Sequence, residues 1–383
     1  MKVLFTVTYF TPYVSGLTLA VQRWAEGLSL LGHQVTVLTM RHDPSLPRTA
    51  RQGALHIRRV PWLIKISKGF LSLVWWKEAW ELSKRHDVVV VHLPQPEAII
   101  VVVAAKLLGK RIVAVYHCEI SLPAGFFSQI IQSLMEVSHF GCMMLADSVV
   151  TYTTDYATHS RLIRLWERFT KKHITAIVPP IPLFAASRRD VASFRKKIGS
   201  ADIVLGLAAR IAAEKGIEYL LAALSRIGRA HKGKRVILAV AGPVPVGEGL
   251  YGKKISSLVK QYGNTVIFLG SIPPHMMASF YRCLDILVLP SINGTESFGM
   301  VQVEAMLAGV PVIATSLPGV RVPIQKTGMG ILIPPKDETA IADAVTALLR
   351  NPASYRREQA DIRRIFSEEE SVQAMATVVT GLS

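Results

Sequence analysis

The chain has 383 residues, 50% of them hydrophobic and 19% charged, which allows two domains with separate cores and excludes disordered, collagen-like and low-complexity classes. A formal net charge of +17, shared by both halves, points to an anionic partner such as nucleic acid, an acidic lipid surface or a phosphorylated substrate. Three scattered cysteines without a C-x-x-C pair exclude a disulfide framework and suit a reducing, cytoplasmic setting.

The apolar run at residues 1–10 has no small-residue cleavage site and meets Thr11-Pro12, so it predicts a first buried strand rather than a secretory leader. Further Val/Ile/Leu runs near 34–39, 55–60, 88–92, 111–116, 148–152 and 175–178 alternate with helix-period segments, as parallel strands covered on both faces do. Between the first two runs, Leu17, Val21, Trp24, Leu28 and Leu31 share one stripe with Gly32 as the stop, which predicts a helix over 16–31.

The segment 62–80 mixes cations with large apolar residues and reads either as a core helix or as a surface for an anionic bilayer. The longest apolar run, 98–108, contains Lys106 and falls short of the roughly 20 residues that a spanning helix needs. Arg161, Arg164, Arg168, Lys171 and Lys172 cover about a third of one helix circumference. They are either a solvated face or, with 62–80, a peripheral docking surface on an anionic membrane. A mean hydropathy of +0.34 in so basic a chain suits membrane contact and buried parallel strands equally.

Pro179-Pro180-Ile181-Pro182 breaks the pattern and places a boundary near 180–190, giving domains 1–183 and 184–366. A second series of strands follows near 203–207, 236–241, 266–269, 286–289, 312–314 and 330–333. The predicted fold class is α/β, with two doubly wound Rossmann-like domains. Ligands of such sheets bind beyond the carboxyl ends of the strands, so two sheets facing each other would hold a site in the cleft. Gly247-Glu-Gly249-Leu-Tyr-Gly252 has the letters of a dinucleotide fingerprint. Pro243 and Pro245 separate it from its strand, so it reads as a loop near the nucleotide.

The stretch most informative for chemistry is 294–311. Ser297 as N-cap and Gly309 with Pro311 as stop predict a helix over 298–308. The amides of Gly299, Met300 and Val301, with the helix dipole, then form an anion site. Glu296 precedes that turn and Glu304 lies two turns along. They read either as acceptors for sugar hydroxyls or as a first-turn dipole partner and a solvated helix residue. Arg210 and Lys215, at the carboxyl end of the second domain's first strand and the start of the next helix, suit neutralisation of a diphosphate without metal. No Asp-x-Asp pair and no set with metal-ligand spacing occurs, so no metal site is expected.

Glu-x7-Glu at Glu296 and Glu304, Arg-x4-Lys at Arg210 and Lys215, and the run Glu-Ser-Phe-Gly-Met-Val-Gln-Val-Glu-Ala together resemble the retaining family 4 glycosyltransferases of the GT-B fold. The resemblance implies that Arg210 and Lys215 hold the donor diphosphate, Gly299 to Val301 contact phosphate through backbone, Glu304 holds the ribose and Glu296 meets the donor sugar. In the first domain it implies that Gly16 faces the donor, with Ser15 where the family has another glycine. His117 would reach the transferred sugar across the cleft; without the resemblance it reads as a buried structural histidine. Asp147 takes a structural role, and residues 367–383 are expected to return to the first domain.

The resulting expectation is a retaining, metal-independent glycosyltransferase with no cofactor. It uses a nucleotide diphosphate sugar donor and a hydroxyl acceptor, lipid or lipid-linked, and is cytoplasmic or peripheral on the inner membrane face. A nucleotide-sugar epimerase of the same fold is the alternative. A nucleic-acid-binding protein would explain the charge, but no binding motif is recognised.

Overall fold

The computed structural model describes residues 1–66, 69–122, 125–243 and 249–381. It divides into two compact units, one of Met1–Pro180 with Ser367–Ser383 and one of Ile181–Phe366.

The first unit is built on strands β1 (Lys2–Val7), β2 (Gln34–Met40), β3 (Thr49–Gln52) and β4 (Leu55–Val60), then a small pair β5 (Ile64–Ile66) and β6 (Gly69–Leu71), then β7 (Val88–Leu93), β8 (Arg111–Tyr116), β9 (Ser148–Thr151) and β10 (Thr175–Ala176). Eight of them form one sheet in the order β10-β9-β8-β7-β1-β2-β4-β3. All its pairs are parallel except the edge pair β3 with β4. Every residue of Val88–Leu93 is buried, which is why this strand reads as an unbroken apolar run: helices cover both faces. The segment 62–80, one predicted helix in the core reading, is instead the antiparallel pair β5–β6 followed by a helix at Trp75–Arg85.

The helix Gly16–Leu30 begins behind Ser15, whose side chain accepts from the Thr18 amide while Thr18 Oγ1 accepts from the Ser15 amide. This reciprocal cap satisfies two of the donors that a helix start leaves open. Trp24 is fully buried, and its Nε1 donates to Ser371 Oγ at 3.0 Å, so the helix Glu368–Thr380 lies against Gly16–Leu30. Gly27 permits that approach, since a Cβ there would stand 2.5 Å from Val372 Cγ2.

The second unit contains β11 (Ile203–Ala208), β12 (Val236–Ala241), β13 (Val266–Gly270), β14 (Ile286–Leu289), β15 (Val312–Thr315) and β16 (Gly330–Ile333). Their order is β13-β12-β11-β14-β15-β16, all parallel. The order reverses between β11 and β14, as it does between β1 and β7 in the first unit. Loops at such a switch point diverge to opposite faces of the sheet and open a crevice at the strands' carboxyl ends. Both units are thus doubly wound Rossmann-like domains.

Candidate active site

The loops that leave β11 and β14, the two strands flanking the second unit's switch point, carry Arg210 with Lys215 and Glu296 respectively. After β11 the chain makes a short 3-10 turn, Ala213–Lys215, and enters the helix Ile217–Ala230 through Gly216, whose φ is 62°. A Cβ on Gly216 would lie 2.2 Å from the Pro290 carbonyl oxygen, so only glycine lets the two loops meet so closely. The Ile292 amide donates to the Glu214 carbonyl at 3.0 Å, and Thr315 Oγ1 donates to the Ser291 carbonyl at 2.8 Å.

That seam sets the side chains. Lys215 Nζ donates to Glu296 Oε2 at 2.5 Å, both side chains being largely buried, and Ser291 Oγ lies 3.4 Å from the same oxygen. Arg210 Nη2 donates to Glu214 Oε1 at 3.1 Å. Two cations and two carboxylates therefore share one crevice wall. Partial exclusion of water makes each charge act more strongly there than on an open surface.

Four residues beyond Glu296, the helix Met300–Leu307 begins with Gly299 as its N-cap at φ 75° and no side-chain cap. This corrects the predicted start at 298 with Ser297 as cap. Gly299 adopts a left-handed conformation that other residues resist, which delays the helix by two residues and buries Ser297. The first helical amides are those of Met300 and Val301, and the positive end of the dipole lies there.

Glu304 stands about 6 Å along the helix axis from Met300. Its Oε2 accepts from Tyr281 OH at 2.9 Å. With Tyr281, Arg282, Arg188 and Arg195 it lines a groove of about 1040 Å³. A carboxylate held this way is oriented for diol hydroxyls entering the groove.

In the first unit, Gly16 is the first residue of its helix, at the end of the loop that leaves β1. His117 follows β8 and is 2% exposed. Its Nε2 lies 2.9 Å from His92 Nδ1 and its Nδ1 2.5 Å from Tyr152 OH, with Trp24 beside all three rings. Burial pushes His117 down to about 3 and His92 well below its usual range, so both are neutral near pH 7. A sugar hydroxyl reaching either ring nitrogen of His117 has to replace one of these two partners. Asp147 accepts from the Ile112 amide at 2.8 Å and fastens the start of β8. Cys118, next to His117, is half-buried.

Sequence reasoning brought Lys215 and Glu296 to one site but missed Glu214, Ser291 and Tyr281, which hold Arg210, Glu296 and Glu304. It also missed Glu97, buried at the β7 carboxyl end, where burial raises the carboxyl to about 7 and Thr8 Oγ1 donates to it at 3.1 Å. Glu214 and Ser291 share loops with Arg210 and Glu296, four and five residues away, so local spacing offered them; Tyr281 and Thr8 reach Glu304 and Glu97 from distant segments, which no local pattern marks. The fingerprint-like glycines near 247 lie partly outside the described residues. Among those residues no group of three His, Cys, Asp or Glu side chains could hold a metal ion.

Residues 189–364 match the family described as Glycosyl transferases group 1, and residues 15–197 match a Glycosyl transferase 4-like domain. A 2-deoxystreptamine glucosyltransferase of Streptomyces kanamyceticus is 26% identical over 381 residues, 92% of this chain and 95% of that protein. A phosphatidyl-myo-inositol mannosyltransferase of Mycobacterium leprae is 45% identical over 84 residues, 22% of each chain. Most of the curated relatives align over less than half of their own length, for example 39% of a Methanocaldococcus jannaschii glycosyltransferase. Among solved structures, Anabaena HepE in complex with UDP and glucose superposes with a TM-score of 0.77 at 19% identity, covering all of both chains.

Proposed function

The chain belongs to the group 1, family 4-like glycosyltransferases, in the GT-B fold, and from that premise we propose that it moves a hexose from a nucleotide diphosphate sugar to a hydroxyl acceptor with retention. The observation that carries this reading is the crevice at the second unit's switch point, where Lys215 and Glu296 are 2.5 Å apart beside Arg210 and the start of helix Met300–Leu307.

In this reading Arg210, Lys215 and the amides of Met300 and Val301 bind the diphosphate. They stabilise the charge that grows on it as the bond from C1 to the phosphate oxygen breaks, which is the work two cations do in place of a metal. The acceptor oxygen bonds to C1 on the same face, and its proton passes to the departing phosphate oxygen. Glu296 grips sugar hydroxyls and Glu304 the ribose. The relative named for phosphatidyl-myo-inositol supports a lipid or lipid-linked acceptor. UDP in the HepE complex supports a uridine donor as the first to try.

The test is a thermal-shift screen with UDP, GDP and ADP sugars, followed by product analysis with the stabilising donor, with and without EDTA, reading the anomeric configuration by NMR. A retained configuration and turnover unaffected by EDTA are expected. Isomerised sugar from donor alone would mean an epimerase. Stabilisation by DNA and by no nucleotide sugar would mean a nucleic-acid-binding protein.

A further inference from the structure

The helix Phe126–Leu145 of the first unit is amphipathic in the reverse sense over its first half. Phe126, Phe127, Ile130, Ile131, Leu134 and Val137 fall within an arc of about 140° at 100° per residue, and all six are exposed, from 43% for Ile130 to 79% for Phe127. The opposite side carries Ser128, Gln132 and Glu136, each half-buried. Gln132 accepts from the Leu122 amide at 3.2 Å and donates to Glu136 at 3.0 Å. Only the second half is anchored, through buried His139, Cys142 and Met143. Six large apolar side chains on one exposed face are far from the single scattered residues that a soluble surface normally shows.

Cations frame this face. The helix Arg161–Thr170 packs beside its anchored half, with Trp166 Nε1 donating to the Met143 carbonyl at 2.9 Å and Phe169 edge-on to Phe140 at 6.0 Å. It exposes Arg161, Arg164 and Arg168, with Lys171 and Lys172 just beyond. On the other side, Ile99 of the helix Ala98–Leu107 lies in contact range of Gly141, and that helix exposes Ile100, Val103 and Lys106. The apolar helix itself has one charged residue, Glu136. Among the described residues no helix is long and apolar enough to cross a bilayer. An apolar ridge with a basic flank is the chemistry of an interfacial helix lying in anionic headgroups.

We propose that the outward face of residues 126–137, flanked by the arginines of helix Arg161–Thr170, seats the first unit on an anionic phospholipid surface. The surface first read from the sequence is thereby extended. Its basic helix remains and residues 62–80 also expose Leu63, Leu73 and Trp76, while 126–137 adds an apolar face that its composition alone does not separate from a core helix. The proposal concerns a surface and does not depend on the donor chemistry.

The experiment is flotation of the full chain with vesicles rich in phosphatidylglycerol and with pure phosphatidylcholine vesicles, at low salt. Three forms are compared: the unaltered protein, the double variant Phe127→Glu/Leu134→Glu and the triple variant Arg161→Ala/Arg164→Ala/Arg168→Ala. The unaltered protein floats with the anionic vesicles. The double variant partitions about tenfold less or worse, as expected when large apolar groups no longer leave water. The triple variant loses only the preference for anionic lipid. Each form is also checked for its melting curve and its stabilisation by UDP, so a folding defect or a wrong donor assignment shows separately from a docking defect. The proposal is overturned if the unaltered protein stays in the soluble fraction, or if the double variant floats as well as it does. It is equally overturned if light scattering finds a dimer that this variant splits, which would make the face an interface between copies.

Discussion

Lys215 Nζ and Glu296 Oε2 are 2.5 Å apart although 81 residues separate them in the chain. The contact exists because Gly216 lets the loop after β11 touch the loop after β14. A cation for phosphate and a carboxylate for hydroxyls are thus set at one point by backbone packing.

Replacing either member is expected to remove most turnover. Lys215→Ala and Glu296→Ala each lower kcat/KM by about 10²–10³-fold, the usual consequence of losing one preorganised charge. The double variant is much less impaired than the product of the two factors, because the residues act as a unit. Steady-state kinetics with thermal melts check this; full activity in both single variants refutes the site.

Glu304 and Tyr281 act on binding. Tyr281→Phe removes the 2.9 Å hydrogen bond that orients the carboxylate, and Glu304→Ala removes the carboxylate itself. Both are expected to raise the donor KM with little change in kcat, Glu304→Ala by about tenfold. An equal fall in kcat would place Glu304 in the chemical step instead.

Gly216→Ala tests the seam. Its left-handed φ and the 2.2 Å approach of a Cβ to the Pro290 oxygen predict a loss of about 1–3 kcal/mol and a fall in activity. Gly32→Ala is the control, since φ is 86° there but nothing lies within 4 Å. Urea melts of the two separate backbone strain alone from strain plus collision.

Stability is expected to depend on pH through two buried groups of opposite sign. Glu97 is raised from 4.5 to about 7, so its contribution is complete below 4.5 and is lost as pH rises through 7. His117 is lowered from 6.5 to about 3, so its contribution is complete above 6.5 and is lost as pH falls towards 3. Glu97→Gln should therefore stabilise the protein well above pH 7, by on the order of 1 kcal/mol or more, and leave the acid limb unchanged. Denaturant melts across this range measure it, and an unchanged alkaline limb in the variant contradicts the assignment.

The strands were legible in the sequence because parallel strands covered on both faces must be apolar throughout, and Val88–Leu93 is apolar at all but one position. The start of helix Met300–Leu307 was less so: Ser297 is a good cap in isolation, but the left-handed Gly299 decides where the helix begins. The segment 62–80 misled for a related reason. Its apolar content fits a helix, while six of its nineteen residues pair as β5 and β6.

Residue type and local spacing by themselves determined the α/β class, the two strand series and the chemical vocabulary of the site, since hydrophobic periodicity and charged groups at strand ends are properties of neighbours in the chain. Tertiary structure alone decided which partners those groups meet. Lys215 reaches Glu296, Tyr281 reaches Glu304, and both ring nitrogens of His117 meet protein side chains. Tertiary structure also decided which side of helix Phe126–Leu145 faces water, because burial and pairing depend on what the fold brings alongside, and sequence distance carries no record of that.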